Sequence, residues 1–136
     1  VRSFIDTNVL VYADAADEPL RQAQALALIA RHRREGTGVL STQVLQEFAN
    51  VALRKLRLPS LLVRERLAFY ARFEVVAASA ALIADALDLH ASRGVAFYDA
   101  LIVQAAAVAG CGELLSEDLQ AGAVLAGVRI VNPFAA

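Results

Sequence analysis

Four acidic residues stand far apart in this 136-residue chain, each beside an apolar run: Asp6 in FIDTNVLVYA, Glu47 in STQVLQEFANVALRK, Asp99 in GVAFYDALIVQAA and Asp118 in ELLSEDLQ. Asp99 is the most informative, because it is the only charged residue between Gly94 and Gly112. A desolvated lone carboxylate is costly unless it is paired, so its partner is either a residue distant in the chain or a bound cation. Four carboxylates brought to one place repel one another unless a cation lies among them. An oxygen-only set suits Mg²⁺ or Mn²⁺, hard ions that take a few carboxylates and keep several waters.

Each acid also has a plainer reading. Asp6 suits the cap of a helix that starts after it. Glu47 shares a helical stripe with Asn50, Arg54 and Arg57, as a solvated residue would. Asp99 suits the cap of its own helix, and Asp118 has a neighbouring rival in Glu117. The case for chemistry therefore rests on all four occurring in order, on elements that converge.

Those elements read as α/β. Short apolar segments alternate with longer helical ones, the pattern of a parallel sheet with crossover helices. Strands are expected near Ser3–Asp6, Gly38–Ser41, Glu74–Ala77, Glu113–Ser116 and Val128–Val131. Helices are expected from Pro19 to about Arg34, then over Thr42–Arg57, Ser60–Arg72, Ser79–Arg93 and Tyr98–Ala109. Pro19 fits a first helical turn, and Gly36 fits a stop after a basic last turn. Sites in such sheets form just outside the carboxyl ends of the strands. Asp6 and Asp118 fall there directly, while Glu47 and Asp99 lie near the starts of helices.

Composition sets broader limits. With 58% apolar and 20% charged residues, the chain reads as one compact domain spanning residues 1–136, with a real core. It shows no internal repeat and no linker-like tract. Asp99 and the flanking glycines interrupt its longest uncharged stretch, which argues against a membrane span. The start runs into a strand without a basic leader, and the single cysteine, Cys111, permits no internal disulfide. Both features fit a cytoplasmic protein. Two histidines and one cysteine make a structural zinc site a poor expectation.

The net charge of −1 conceals an asymmetry. Between Arg21 and Arg72 there are ten Arg or Lys against three acids, and elsewhere three Arg against eleven acids. A basic flank including Arg54, Lys55 and Arg57 could face a polyanion, or form ordinary wet helix faces. Phe97 and Tyr98 beside Asp99 could stack on a base, though core packing is the better reading.

Taken together, FIDTNVLVYA, LQEFANVALRK, FYDALIVQAA, LLSEDLQ and VRIVNPF resemble the PIN-domain ribonucleases, most closely the VapC toxins of toxin–antitoxin pairs. The resemblance covers essentially the whole chain and implies a three-layer α/β/α sandwich around a mainly parallel, five-stranded sheet. It implies Mg²⁺- or Mn²⁺-dependent endonucleolytic cleavage of RNA, with Asp6, Glu47, Asp99 and Asp118 as metal-binding and catalytic acids. Thr7 and Asn8 would support Asp6, and Ser116 sits where the family has Thr or Ser. On that alignment Asp118 takes the metal role rather than Glu117. Arg54, Lys55 and Arg57 extend the helix carrying Glu47 and are candidate RNA contacts. A cognate antitoxin and a homodimer are further implications, with Leu61–Phe69 and Ser79–Leu89 as candidate interface elements.

This chemistry agrees with the residues. Attack by water leaves a 5′-phosphate and a 3′-hydroxyl, and needs none of the His or Lys pairs that a 2′-hydroxyl mechanism uses. His32 and His90 read as structural or surface residues. The alternatives are a PIN-like domain that binds RNA or protein without cutting, and an RNA-processing nuclease that is not a toxin. A response-regulator phosphoacceptor is disfavoured because Phe4 and Ile5 precede Asp6 and the only lysine is Lys55. A dinucleotide fold is disfavoured because neither Gly-x-Gly precedes a helix.

Overall fold

The computed structural model describes residues 1–135. Strand β1 (Ser3–Ile5) is followed by helices α1 (Thr7–Ala13) and α2 (Pro19–Glu35). Strand β2 (Gly38–Ser41) leads into α3 (Thr42–Arg54) and α4 (Ser60–Tyr70), and β3 (Glu74–Val76) into α5 (Ala80–Arg93) and α6 (Phe97–Val108). Strands β4 (Glu113–Leu115), β5 (Val124–Leu125) and β6 (Val128–Val131) complete the fold.

The strands are short, and burial is greatest at the centre of the sheet, where both faces are covered by helices. All residues of β1 and β2 are buried. The order is β3-β2-β1-β4-β6-β5, parallel throughout except for β5 against β6. Chain progress runs one way from β1 through β2 to β3, and the other way through β4 to β6. The point where it reverses lies at β1, where a crevice opens at the carboxyl ends. Asp6 is the first residue past β1, and its backbone N–H still donates to the Leu115 carbonyl at 3.0 Å.

Helices flank the sheet to give the three-layer α/β/α sandwich. Helix α6 packs on β2, β4 and β6 and carries α5 on its back, while α1 packs against α2 and α3. Phe4, Ile5, Leu10, Phe48, Leu40, Leu114 and Ile130 are fully buried in the core between these layers. Ser41 and Ser79 cap α3 and α5 by accepting from the N–H groups of Val44 and Leu82. Gly38 is required by close approach, since a Cβ there would lie 2.7 Å from the Phe73 ring. Asp14 at the end of α1 accepts three hydrogen bonds from the Arg66 guanidinium of α4 at 3.0–3.1 Å, tying those helices together. None of the helices among the described residues is long and apolar enough to cross a membrane.

Two expectations need correction. The sheet has six strands, because β5 and β6 form a hairpin whose two-residue turn is Ala126-Gly127, with φ of 49° and 79°. Two positive φ values are the signature of the turn that matches strand twist. Ala is a poor residue for that conformation, so the sequence lacks the usual Asn-Gly or Asp-Gly signal. Helix α3 stops at Arg54 rather than Arg57. Lys55 caps it, Arg57 turns left-handed at φ 55°, and Leu58 N–H donates to the Ala52 carbonyl at 3.0 Å.

Candidate functional site

The crevice at the carboxyl end of β1 is built from four separate stretches of chain. Asp6 caps α1 and is buried, 7% exposed. Its Oδ1 accepts from the Thr7 backbone N–H at 2.7 Å, and its Oδ2 accepts from the Ser116 hydroxyl at 2.7 Å. The capping reading of Asp6 therefore holds, and the same carboxylate stands at the edge of the crevice. Burial pushes its carboxyl up to about 6, opposed by the Ser116 and Thr7 bonds and reinforced by the charges of Asp118 and Glu47.

Glu47 lies in the second turn of α3. Its Oε1 accepts from the Thr7 hydroxyl at 2.6 Å, and its Oε2 accepts from the Gln43 amide at 3.1 Å. The same amide donates to the Tyr98 carbonyl at 3.1 Å, which joins α3 to the start of α6. Asp99 stands in the first turn of α6, half-buried, with no ion pair among the described residues. Burial raises its pKa, and Asp118 and Glu47 raise it further. Asp118 sits in the exposed loop after β4, its N–H donating to Ser116 Oγ at 3.1 Å.

The carboxylates thus gather at one edge and sense one another's charge. They do not form a ready cage, because among the described residues no group of three or more His, Cys, Asp or Glu is arranged to hold a metal ion. Both oxygens of Asp6 and both of Glu47 accept from donors within the protein. Each oxygen retains a second acceptor site. By donor chemistry the set fits a hard divalent cation. Beside the acids, the side-chain Nδ2 and Oδ1 of Asn8 are both buried without a partner among the described residues. Unpaired groups of this kind are costly and few in folded proteins.

Beside the acids lies a cavity of about 410 Å³, whose lining includes Thr7, Asn8, Glu47, Asn50, Lys55 and Asp118. Of the three basic candidates, only Lys55 lines it. Arg54 and Arg57 are exposed but belong to the outer surface, since the stripe shared with Glu47 runs through Val51 to Lys55 and Arg57 lies beyond the helix. A larger apolar cleft of about 660 Å³, between α3 and α4, holds Leu53, Leu61 and Leu67 and none of the four acids.

Tyr98 corrects another expectation. It is 67% exposed rather than packed in the core, because it lies on the outward face of α6, whose inward face carries the fully buried Ala100. Phe97 beside it does pack against the core. His32 is buried against the Thr37 hydroxyl, and His90 pairs with the Val95 carbonyl, so both have structural roles. Sequence reasoning missed Gln43, Tyr12 and Arg21. Gln43 was detectable as the residue one turn before Glu47. Arg21 carried no local signal, since only the return of α2 past α1 brings it near Glu117.

Fold and site together define an α/β/α domain with an all-oxygen carboxylate rim at the switch point of a parallel sheet. The PIN domain family pattern matches residues 3–124, and the chain belongs to that family. No curated protein matches it in sequence. Among solved structures, a VapC20 toxin of Mycobacterium tuberculosis, described as cleaving the sarcin–ricin loop, is similar at 18% identity and a TM-score of 0.70, over 85% of this chain and 91% of that one. A toxin–antitoxin complex from Klebsiella pneumoniae gives 18% and 0.69 over 97% and 98%. VapBC2 of Rickettsia felis, bound to a DNA fragment of its promoter, gives 18% and 0.68 over 96% and 97%. At that identity the likeness establishes shared fold.

Proposed function

We propose that the chain works as a single PIN domain, a metal-dependent endoribonuclease, and that it is the toxin of a toxin–antitoxin pair. The observation that carries this reading is the convergence of Asp6, Glu47, Asp99 and Asp118 from four stretches of a PIN-family chain onto one crevice. Asp6, Glu47 and Asp99 would hold Mg²⁺ or Mn²⁺, and Asp118 completes the set or takes the proton of the attacking water. Such a cation supplies charge neutralisation for the phosphodiester and Lewis acidity toward water. The protein's own contribution is orientation: Ser116 and Thr7 N–H fix Asp6, and the Thr7 hydroxyl with Gln43 fixes Glu47. Hydrolysis leaves a 5′-phosphate and a 3′-hydroxyl.

The direct test is thermal denaturation of the purified, partner-free protein with and without Mn²⁺, beside Asp99→Asn. Without metal the variant should melt at or above the wild-type temperature, because a repelling, partly desolvated charge is gone. On adding Mn²⁺ the wild type should gain several degrees and the variant little. Equal responses would remove the metal reading and leave a non-catalytic RNA- or protein-binding domain.

Lys55, which lines the cavity beside the acids, would hold a phosphate, and the exposed Tyr98 next to Asp99 would stack on a base. Tyr98→Ala is expected to weaken binding of a single-stranded RNA by about 1–3 kcal/mol, as loss of one stacking platform does. Lys55→Ala should flatten the salt dependence of binding. Unchanged affinity in both would move the RNA path elsewhere. In the cell the reading places the protein in the cytoplasm with an antitoxin that covers the crevice, and as a homodimer. The exposed apolar side chains of Leu61, Ile83 and Leu87 on α4 and α5 keep those helices as the candidate interface.

A further inference from the structure

Next to the carboxylate rim stands a cluster that the chemistry above does not use. Glu117 Oε1 accepts from the Tyr12 hydroxyl at 2.6 Å, and its Oε2 accepts from Arg21 Nε at 2.9 Å and pairs with the terminal Arg21 nitrogen at 2.9 Å. The Arg21 guanidinium lies 5.4 Å from the centroid of the Tyr12 ring and 5.9 Å from that of Phe134. Tyr12 and Phe134 meet edge-on with their centroids 5.0 Å apart. Helices α1 and α2 thus meet the loop after β4 at one carboxylate, with Phe134 of the segment after β6 packed against the Tyr12 ring and the Arg21 guanidinium.

That carboxylate is flanked in sequence by Ser116, which holds Asp6, and by Asp118. Asp118 is exposed, and its own carboxylate accepts no hydrogen bond among the described residues. Its backbone is anchored by the 3.1 Å bond to Ser116 Oγ and by whatever fixes Glu117. We propose that Tyr12, Arg21 and Glu117 form a clasp that pins the 116–118 segment to α1 and α2 and thereby positions Asp118 for the cation. Glu117 is then a positioning residue and Asp118 the fourth carboxylate of the rim. The proposal rests on the metal-centre reading.

Two physical points support it. Unlike Asp6 and Glu47, whose donors are neutral, Glu117 is ion-paired with a guanidinium, so its charge is already compensated; charge-assisted bonds hold it in place and it attracts an incoming cation less. A loop acid that is ordered before the cation arrives loses less conformational freedom on binding than a mobile one.

The clasp and simple electrostatics make opposite predictions. Removing a positive guanidinium beside an acidic rim should tighten cation binding by Coulomb attraction alone. Removing part of a clasp should loosen it. The experiment is calorimetric titration of the full chain with Mn²⁺, comparing wild type with Arg21→Ala, Tyr12→Phe, Glu117→Gln and Asp118→Asn. Tyr12→Phe keeps the ring packing and removes only the 2.6 Å bond, so it remains informative if Arg21→Ala folds poorly. Asp118→Asn is expected to weaken binding most. Arg21→Ala and Glu117→Gln should weaken it about tenfold, the scale of a lost outer partner, and Tyr12→Phe by less. Binding by Arg21→Ala and Tyr12→Phe as tight as wild type, or tighter, overturns the clasp. A Glu117→Gln loss equal to or greater than that of Asp118→Asn overturns it too, by making Glu117 the ligand. If wild type binds no Mn²⁺, the metal reading itself falls and takes the clasp with it. The two failures are therefore distinct.

Discussion

Asp6→Asn should make the folded protein more stable at pH 8 by about 3 kcal/mol and, on the ribonuclease reading proposed above, lower RNA cleavage by about a hundredfold or more. The stability gain follows from the folded carboxyl lying at about 6 rather than at the ordinary 3.8. A group raised in this way favours folding fully below its unfolded value, and that favour is lost as pH climbs through the folded value. Above about pH 7 the buried carboxylate is ionised, and its full desolvation and repulsion penalty is present. The Asn variant removes that penalty. It keeps an acceptor for the Thr7 N–H and presents an amide to Ser116 Oγ. Chemical denaturation from pH 4 to pH 8 measures this directly. The stability difference between variant and wild type should be largest at pH 8 and close toward pH 4. A pH-independent difference, or a less stable variant at pH 8, would show that Asp6 is not held at the cost its burial implies. Opposite signs for stability and cleavage are what a strained functional carboxylate gives.

Ser116→Ala tests the other side of the same contact. Ser116 is fully buried, and its hydroxyl donates to Asp6 Oδ2 while accepting from the Asp118 N–H. Deleting it strips a donor from a buried charge and leaves the Asp118 N–H unanswered by the side chain. A hydrogen bond to a charged group contributes about 1.5–3 kcal/mol, so a loss near 2 kcal/mol is expected at pH 8. The Ser116 bond also holds the Asp6 carboxyl down, so without it that pKa moves further up. The penalty should therefore shrink as pH falls through 6 and Asp6 takes up its proton. In the background of Asp6→Asn the same deletion should cost clearly less, which a double-mutant cycle measures. Equal costs in both backgrounds would mean the hydroxyl serves packing rather than the carboxylate.

Much of this architecture could be read from patterns with local causes. The five longer strands and the long helices follow from apolar runs, caps at Ser41 and Ser79, and stops at Gly36 and Gly94, each within a few residues of its effect. The misreadings have equally local explanations. The hairpin at Ala126-Gly127 was hidden because Ala is not a residue that advertises positive φ. The overrun of α3 to Arg57 came from continuing a helical stripe past a left-handed residue that is not glycine. Tyr98 reads as core because apolar neighbours in sequence do not reveal which face of the helix turns outward.

For the candidate site, Asp6, Glu47, Asp99 and Asp118 could be proposed from the chain alone, because motif spacing and an isolated charge in an apolar run are properties of the sequence itself. Their relations could not. That Ser116 bonds Asp6 across 110 residues, that Thr7 bonds Glu47, that Lys55 rather than Arg54 or Arg57 lines the cavity, and that Glu117 is taken by Tyr12 and Arg21 were decided by packing. Residue type determines which charges and donors exist and the local backbone they favour. Distance, burial and hydrogen-bond choice depend on which distant elements close over them, and only the crossing of β1, β4, α1, α2 and α3 settles those.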